Sequence, residues 1–201
     1  MIRALYGGSF DPFHEGHLAV VNHLLDHGLC DHVHVVPAGL SPFKHGNEAS
    51  PDQRLAMARA ALAGLPRVSV DDREARADGP SWTVTTLAAL AAEHPGDAWR
   101  LVMGADAAAG LPRWRDADRL LVLARLIILA RRGQPVPDWA ENVHAVVLRD
   151  FDVPVSATDL RRRLAAGEAD GLPLPPAVLR HIRAHGLYGA RPDPNGGPPC
   201  P

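Results

Sequence analysis

A chain of 201 residues, 46% hydrophobic and 22% charged, has the composition of a soluble globular protein and enough length for one good hydrophobic core. Its net charge of −2 gives no sign of a nucleic-acid surface, and no apolar run reaches the roughly 18 residues of a membrane span. No signal-peptide pattern opens the chain, and Cys30 and Cys200 are too far apart to frame a disulfide or zinc site, so a cytoplasmic protein is expected.

Strand-like and helix-like segments alternate along the chain. "MIRALY" reads as a short first strand, and "HLAVVNHLLDHG" beyond it has helical spacing. "HVHVVP" (32–37) is a second strand of β-branched residues closed by proline, followed by the loop "AGLSPFKHGNEASP". Ser50 and Pro51 then make an N-cap and first helical position for "SPDQRLAMARAAL". "RVSV" (67–70) is a third strand, "TVTTLAALAAEH" a helix and "WRLVMG" (99–104) a fourth strand; "RLIILA" (125–130) and "VHAVVL" (143–148) are the fifth and sixth. "SATDLRRRLAAG" (156–167) opens on Ser156 with Asp159 three residues on, a capping-box-like start. "PPAVLRHIRAHG" is the last helix, and the Pro/Gly-rich tail from 190 to 201 is expected to be disordered. This alternation predicts a Rossmann-like, doubly wound, mostly parallel sheet with helices on both faces. It forms one domain over 1–189 with a small helical part at about 156–189. Apolar helix faces serve a core or a subunit contact equally well, which leaves a homo-oligomer open.

The densest chemistry lies in "GGSFDPFHEGH" (7–17), between the first strand and its helix. Such a connection favours anions, because free backbone N–H groups and the helix N-terminus point at the same place. Gly7 and Gly8 admit a close ligand approach, Ser9 adds a hydroxyl, and Asp11-Pro12 makes the turn. His14 and His17, three apart at a helix start, can both point at one anion above that terminus. Neither a P-loop nor a G-x-G-x-x-G is present, and "HEGH" lacks the i, i+4 histidine spacing of zinc proteases. No protein metal site is predicted. The chain has 20 arginines and a single lysine, Lys44 in "SPFKH", which draws attention to that loop because an ammonium and a guanidinium differ at a phosphate.

The stretch resembles the [ST]-F-D-P…H-x-G-H signature of the nucleotidyltransferase superfamily, and "VSATDLRRRL" resembles that superfamily's second signature, [ST]-[SA]-T-x-[IL]-R. More closely, the chain is similar to bacterial nicotinate-nucleotide adenylyltransferases from about residue 2 to 189. The similarity runs in order through "SPFKHGNEASPDQRLAMARAAL", "VDDREARADGPSWTVTTL", "MGADAAAGLPRWRDADRLL", "ILARRGQP" and "LPPAVLRHIRAHGLYG". This resemblance implies transfer of AMP from Mg·ATP to nicotinate mononucleotide, giving deamido-NAD and pyrophosphate in NAD biosynthesis. It assigns catalysis to His14, His17, Lys44 and Arg161. ATP falls to Gly7, Gly8, Ser9, Phe10, His17, Gly104, Asp106, Ser156, Thr158 and Arg161. The acceptor falls to Ser9, Lys44, Thr83, Trp114 and Arg115, with Trp114 stacking on the pyridine ring and backbone N–H groups at Thr83 and Arg115 taking its carboxylate. Mg²⁺ comes on the ATP phosphates, and Asp106 reads equally as a ribose- or magnesium-region residue and as a helix N-cap. Three positions depart from the family pattern: Ser41 for a proline, Phe43 for a histidine, and Arg115 for an aromatic residue. The "PSWT" turn and the Trp114 segment separate the chain from pantetheine-phosphate transferases. An acceptor phosphate already ionised near pH 7 needs no general base, so in-line attack without a covalent intermediate is expected.

Overall fold

Six parallel strands form the sheet in the computed structural model, which describes residues 1–39, 48–149, 151, 153–168 and 170–191. They are β1 (Ile2–Gly8), β2 (His32–Pro37), β3 (Val68–Val70), β4 (Ala98–Gly104), β5 (Arg125–Leu129) and β6 (Val146–Leu148). Their spatial order is β3-β2-β1-β4-β5-β6, all neighbours being parallel. The chain winds outward from β1 to β3, returns beside β1, and winds the other way. The expected doubly wound α/β fold is therefore observed, and the strand order reverses between β1 and β4.

Alternation along the strands buries both faces of the sheet. Ala4 and Tyr6 of β1 face one core, built with α1 (Glu15–Asp26), α2 (Pro51–Leu62), α7 (Ala157–Ala165) and α8 (Pro176–Ala184). Leu5 faces the other, built with α3 (Thr83–Glu93), α4 (Ala105–Gly110), α5 (Ala117–Leu123) and α6 (Trp139–Asn142). Every side chain from Ala4 to Tyr6 is buried. The last four residues before Pro37 behave the same way in β2.

Element ends follow local chemistry. Ser50 caps α2 by accepting the Gln53 N–H at 3.2 Å, with Pro51 in the first turn. Two boundaries differ from the sequence reading. β1 runs on to Gly8 while α1 begins at Glu15, so the connection is only Ser9 to His14. β6 is shorter than expected, because Val143 and His144 complete the turn after α6, His144 at φ 51°. Of the short helices, α4 was implied only by Asp106 as a possible N-cap, and α5 and α6 were not anticipated. At six, seven and four residues the three are too short to show periodicity, and they form by packing on the sheet.

Candidate active site

The carboxyl ends of β1 and β4 diverge at the reversal point, and both end in glycine, Gly8 and Gly104. A cleft of about 960 Å³ opens between them. Gly7, Gly8, Ser9, Phe10, His17, Thr83, Gly104, Trp114, Arg115, Thr158 and Arg161 of the sequence-assigned residues all border it. Segments 150 residues apart in sequence thus share one wall. Lys44, with Ser41 and Phe43, lies outside the described residues.

The connection after β1 is fixed from four directions. Phe10 adopts a left-handed backbone (φ 50°), rare for a bulky residue, and its ring packs where a Cβ on Gly8 would sit, 2.9 Å away. Only the backbone of Phe10 can therefore serve a ligand, since its side chain is core. The buried Asp11 carboxylate accepts the N–H groups of Glu48 (2.9 Å) and Ala49 (3.2 Å) and the Tyr188 hydroxyl (2.6 Å). Burial, with the hydrogen bond to Asp11 and its charge, pushes the Tyr188 pKa up, keeping its proton in that bond. Arg161 donates to the Asp11 carbonyl at 2.8 Å. Arg54, 1% exposed, donates to the carbonyls of Ser9 (2.7 Å), Gly39 (3.1 Å) and Ala49 (3.3 Å), and burial lowers its pKa. The sequence reading gave Asp11 only a turn and gave Arg54, Glu48 and Tyr188 no task.

The two histidines have different situations. His17 Nδ1 accepts the His14 backbone N–H at 3.2 Å, which puts the proton of the neutral ring on Nε2 as a donor. Its ring is held between Phe10, Phe13 and His14, with centroids at 4.9, 5.2 and 3.6 Å. His14 is buried and does not border the cleft, contrary to the expectation that both rings face one anion. Its extended backbone makes it the N-cap of α1, and its ring folds back under His17, nearly parallel to it. Gly16 leaves the room, since a Cβ there would lie 3.0 Å from the His14 ring. Burial, with the Arg131 charge, pushes His14 down to about 4, so it is neutral near pH 7. Its Nδ1 is buried without a hydrogen-bond partner.

Two further expectations change. Ser156 caps α7 through the Asp159 N–H (3.5 Å) and does not border the cleft, which Ala157, Thr158 and Arg161 do. The Asp159 side chain turns to Arg162 rather than completing a capping box. Asp106 is neither an N-cap, a place held by Gly104, nor on the cleft wall; its carboxylate takes the Gln134 amide at 2.7 Å. Arg161 holds Glu48 at 2.6 Å. Arg131, whose R-x-G segment had matched without a residue role, borders the cleft as a further cation.

At the other end of the cleft stand Ser81, Trp82, Thr83, Trp114 and Arg115. Trp82 is the N-cap of α3 and offers no side-chain acceptor, so its own side chain caps none of the first N–H groups of that helix. The Arg115 guanidinium lies over the Trp82 ring at 5.3 Å, joining the two segments expected to hold the acceptor. Among the described residues no group of three His, Cys, Asp or Glu side chains is arranged to hold a metal, and no helix is long and apolar enough to cross a membrane.

A phosphate-type loop at the reversal point, a second basic helix start across from it and an aromatic far end together define a nucleotidyltransferase. Comparison with known proteins agrees. The cytidylyltransferase-like family model matches residues 5–163. A relative from Roseiflexus sp. (strain RS-1) named "Probable nicotinate-nucleotide adenylyltransferase" is 40% identical, over 92% of this chain and 96% of its own length. One of the same name from Gemmatimonas aurantiaca is 36% identical, over 94% and 92%. The nicotinic acid mononucleotide adenylyltransferase of Plasmodium falciparum, solved with NaAD, superposes with a TM-score of 0.74 over 94% of this chain and 98% of its own, at 17% identity. The chain belongs to the nicotinate-nucleotide adenylyltransferase family.

Proposed function

We propose that this protein transfers AMP from ATP to nicotinate mononucleotide, forming deamido-NAD and pyrophosphate. The observation that carries the reading is one continuous cleft with a phosphate-type loop and the Arg161 helix start at one end and an aromatic, N–H-rich turn at the other. The acceptor phosphate is mostly ionised near pH 7, its second pKa being about 6, so its oxygen attacks the α-phosphorus without a base. The bond from that phosphorus to the pyrophosphate oxygen breaks as the new one forms. His17 donates from Nε2 to the charge that develops, and His14 keeps the His17 ring in place while supplying a neutral, desolvated neighbour. Thr158 and Arg161 hold the triphosphate, which requires Arg161 to exchange Glu48 for phosphate. Lys44 belongs to the same cationic set. Mg²⁺, bound to the triphosphate, would neutralise charge on the leaving pyrophosphate.

Trp114 stacks on the pyridine ring, and the N–H groups at Thr83 and beyond, which the Trp82 side chain does not cap, receive its carboxylate. A cytoplasmic location is part of the reading. Chromatography of reactions with ATP and nicotinate mononucleotide tests the product, with deamido-NAD expected. ATP made chiral by sulfur at the α-phosphorus tests the route. Inversion fits a single in-line displacement; retention would require a covalent intermediate.

A further inference from the structure

Glu74 borders the acceptor end of the cleft, yet no part of the reaction described above uses it. Its Oε1 accepts the Thr86 hydroxyl at 2.5 Å, and Thr86 is buried in the first turns of α3. The Ser81 hydroxyl lies beside the same carboxyl, buried and without a well-formed hydrogen bond. Glu74 therefore meets both sides of Trp82 and Thr83, the segment whose N–H groups open α3.

Its backbone is held as tightly. A Cβ on Gly39 would fall 2.1 Å from the Glu74 carbonyl oxygen, so only glycine lets the chain after β2 lie against this residue. Arg54 grips the Gly39 carbonyl and the Ser9 carbonyl together. A continuous set of contacts thus runs from the phosphate-type loop through Arg54, Gly39 and Glu74 to the turn before α3.

We propose that Glu74 is a positioning residue for acceptor recognition, fixing the Ser81–Thr83 turn so that its N–H groups meet the ring substituent of the acceptor. The inference rests on the transferase reading. Arg73 makes no hydrogen bond to Glu74, because its guanidinium is held by Asp71 (2.8 Å) and Glu93 (2.9 Å), and it acts on Glu74 only through its charge. Burial lifts the Glu74 carboxyl above the usual range. Glu74 acts on how tightly the acceptor binds and on which substituent is preferred, and ATP meets other walls.

Steady-state kinetics of the full chain with ATP and nicotinate or nicotinamide mononucleotide test this. For Glu74→Ala the expected result is a KM for nicotinate mononucleotide raised about tenfold, with kcat and the KM for ATP within about twofold. The preference for the nicotinate form should shrink, and Glu74→Gln, which can still accept from Thr86, should restore most of it. Thr86→Val, nearly isosteric, should reproduce the Ala effect and serves if Glu74→Ala does not fold. An unchanged acceptor KM in Thr86→Val or Glu74→Ala, or an equal rise for ATP, would overturn the proposal. A wild-type protein inactive with both mononucleotides would overturn the transferase reading itself.

Discussion

At the level of single residues, the two histidines of one motif divide the work. His17 is the donor, oriented by a backbone N–H and boxed by aromatic rings, whereas His14 is a buried cap. Removing one preorganised donor at a developing charge costs roughly 100- to 1,000-fold in turnover. His17→Ala should therefore lose that much kcat while the KM for the acceptor changes little; an unchanged kcat would remove its role. Arg161 gives a second residue-scale test. Its partner Glu48 is 58% exposed, and an exposed ion pair is worth at most about 1 kcal/mol. Glu48→Gln should lower the KM for ATP by no more than about fivefold, read by initial rates against ATP. The motif residues were legible in sequence because hydroxyls, glycines and basic groups at helix starts carry their chemistry with them. Glu48, Arg54 and Tyr188 were not, because their partners are distant carbonyls, amides and a carboxylate that only the folded chain brings close.

Among the elements, the connection after β1 is stabilised less by its own sequence than by α2, α7 and the C-terminal 3₁₀ turn Leu187–Gly189. Arg54 on α2 satisfies three carbonyls in a buried position, and a neutral replacement orphans all of them. Arg54→Met should cost roughly 3 kcal/mol or more, measured by urea unfolding, and loosen the Ser9 backbone. The helices with an apolar stripe or a clear cap, such as α2 with Ser50 and Pro51, were evident from sequence. The short α5 and α6 were not, because their order comes from the core they cover. α1 begins earlier than its apolar spacing implies, since its N-cap His14 lies outside that pattern.

For the whole molecule, doubly wound topology was readable from the alternation of β-branched runs and helices, while the place where it opens a cleft needed the strand order. The fold also carries a global pH signature. His14 and His34 are both buried and both pushed down to about 4, His14 by burial and Arg131, His34 by burial and the charges of His32, Arg3 and His94. Between about pH 6.5 and 4 the unfolded chain binds more protons than the folded one, so stability falls as pH drops through that window. Each histidine contributes a loss on the order of 2 kcal/mol by about pH 5. Urea midpoints should therefore decline from neutral pH to about 5, and a flat profile would contradict the burial of both rings. The central claim concerns the cleft as a whole, anion-binding at one end and ring-binding at the other. Its most direct test is pyrophosphate release from Mg·ATP with nicotinate and nicotinamide mononucleotide side by side. Rapid release with a strong preference for the nicotinate form is the predicted result, and no release with either acceptor would contradict the account.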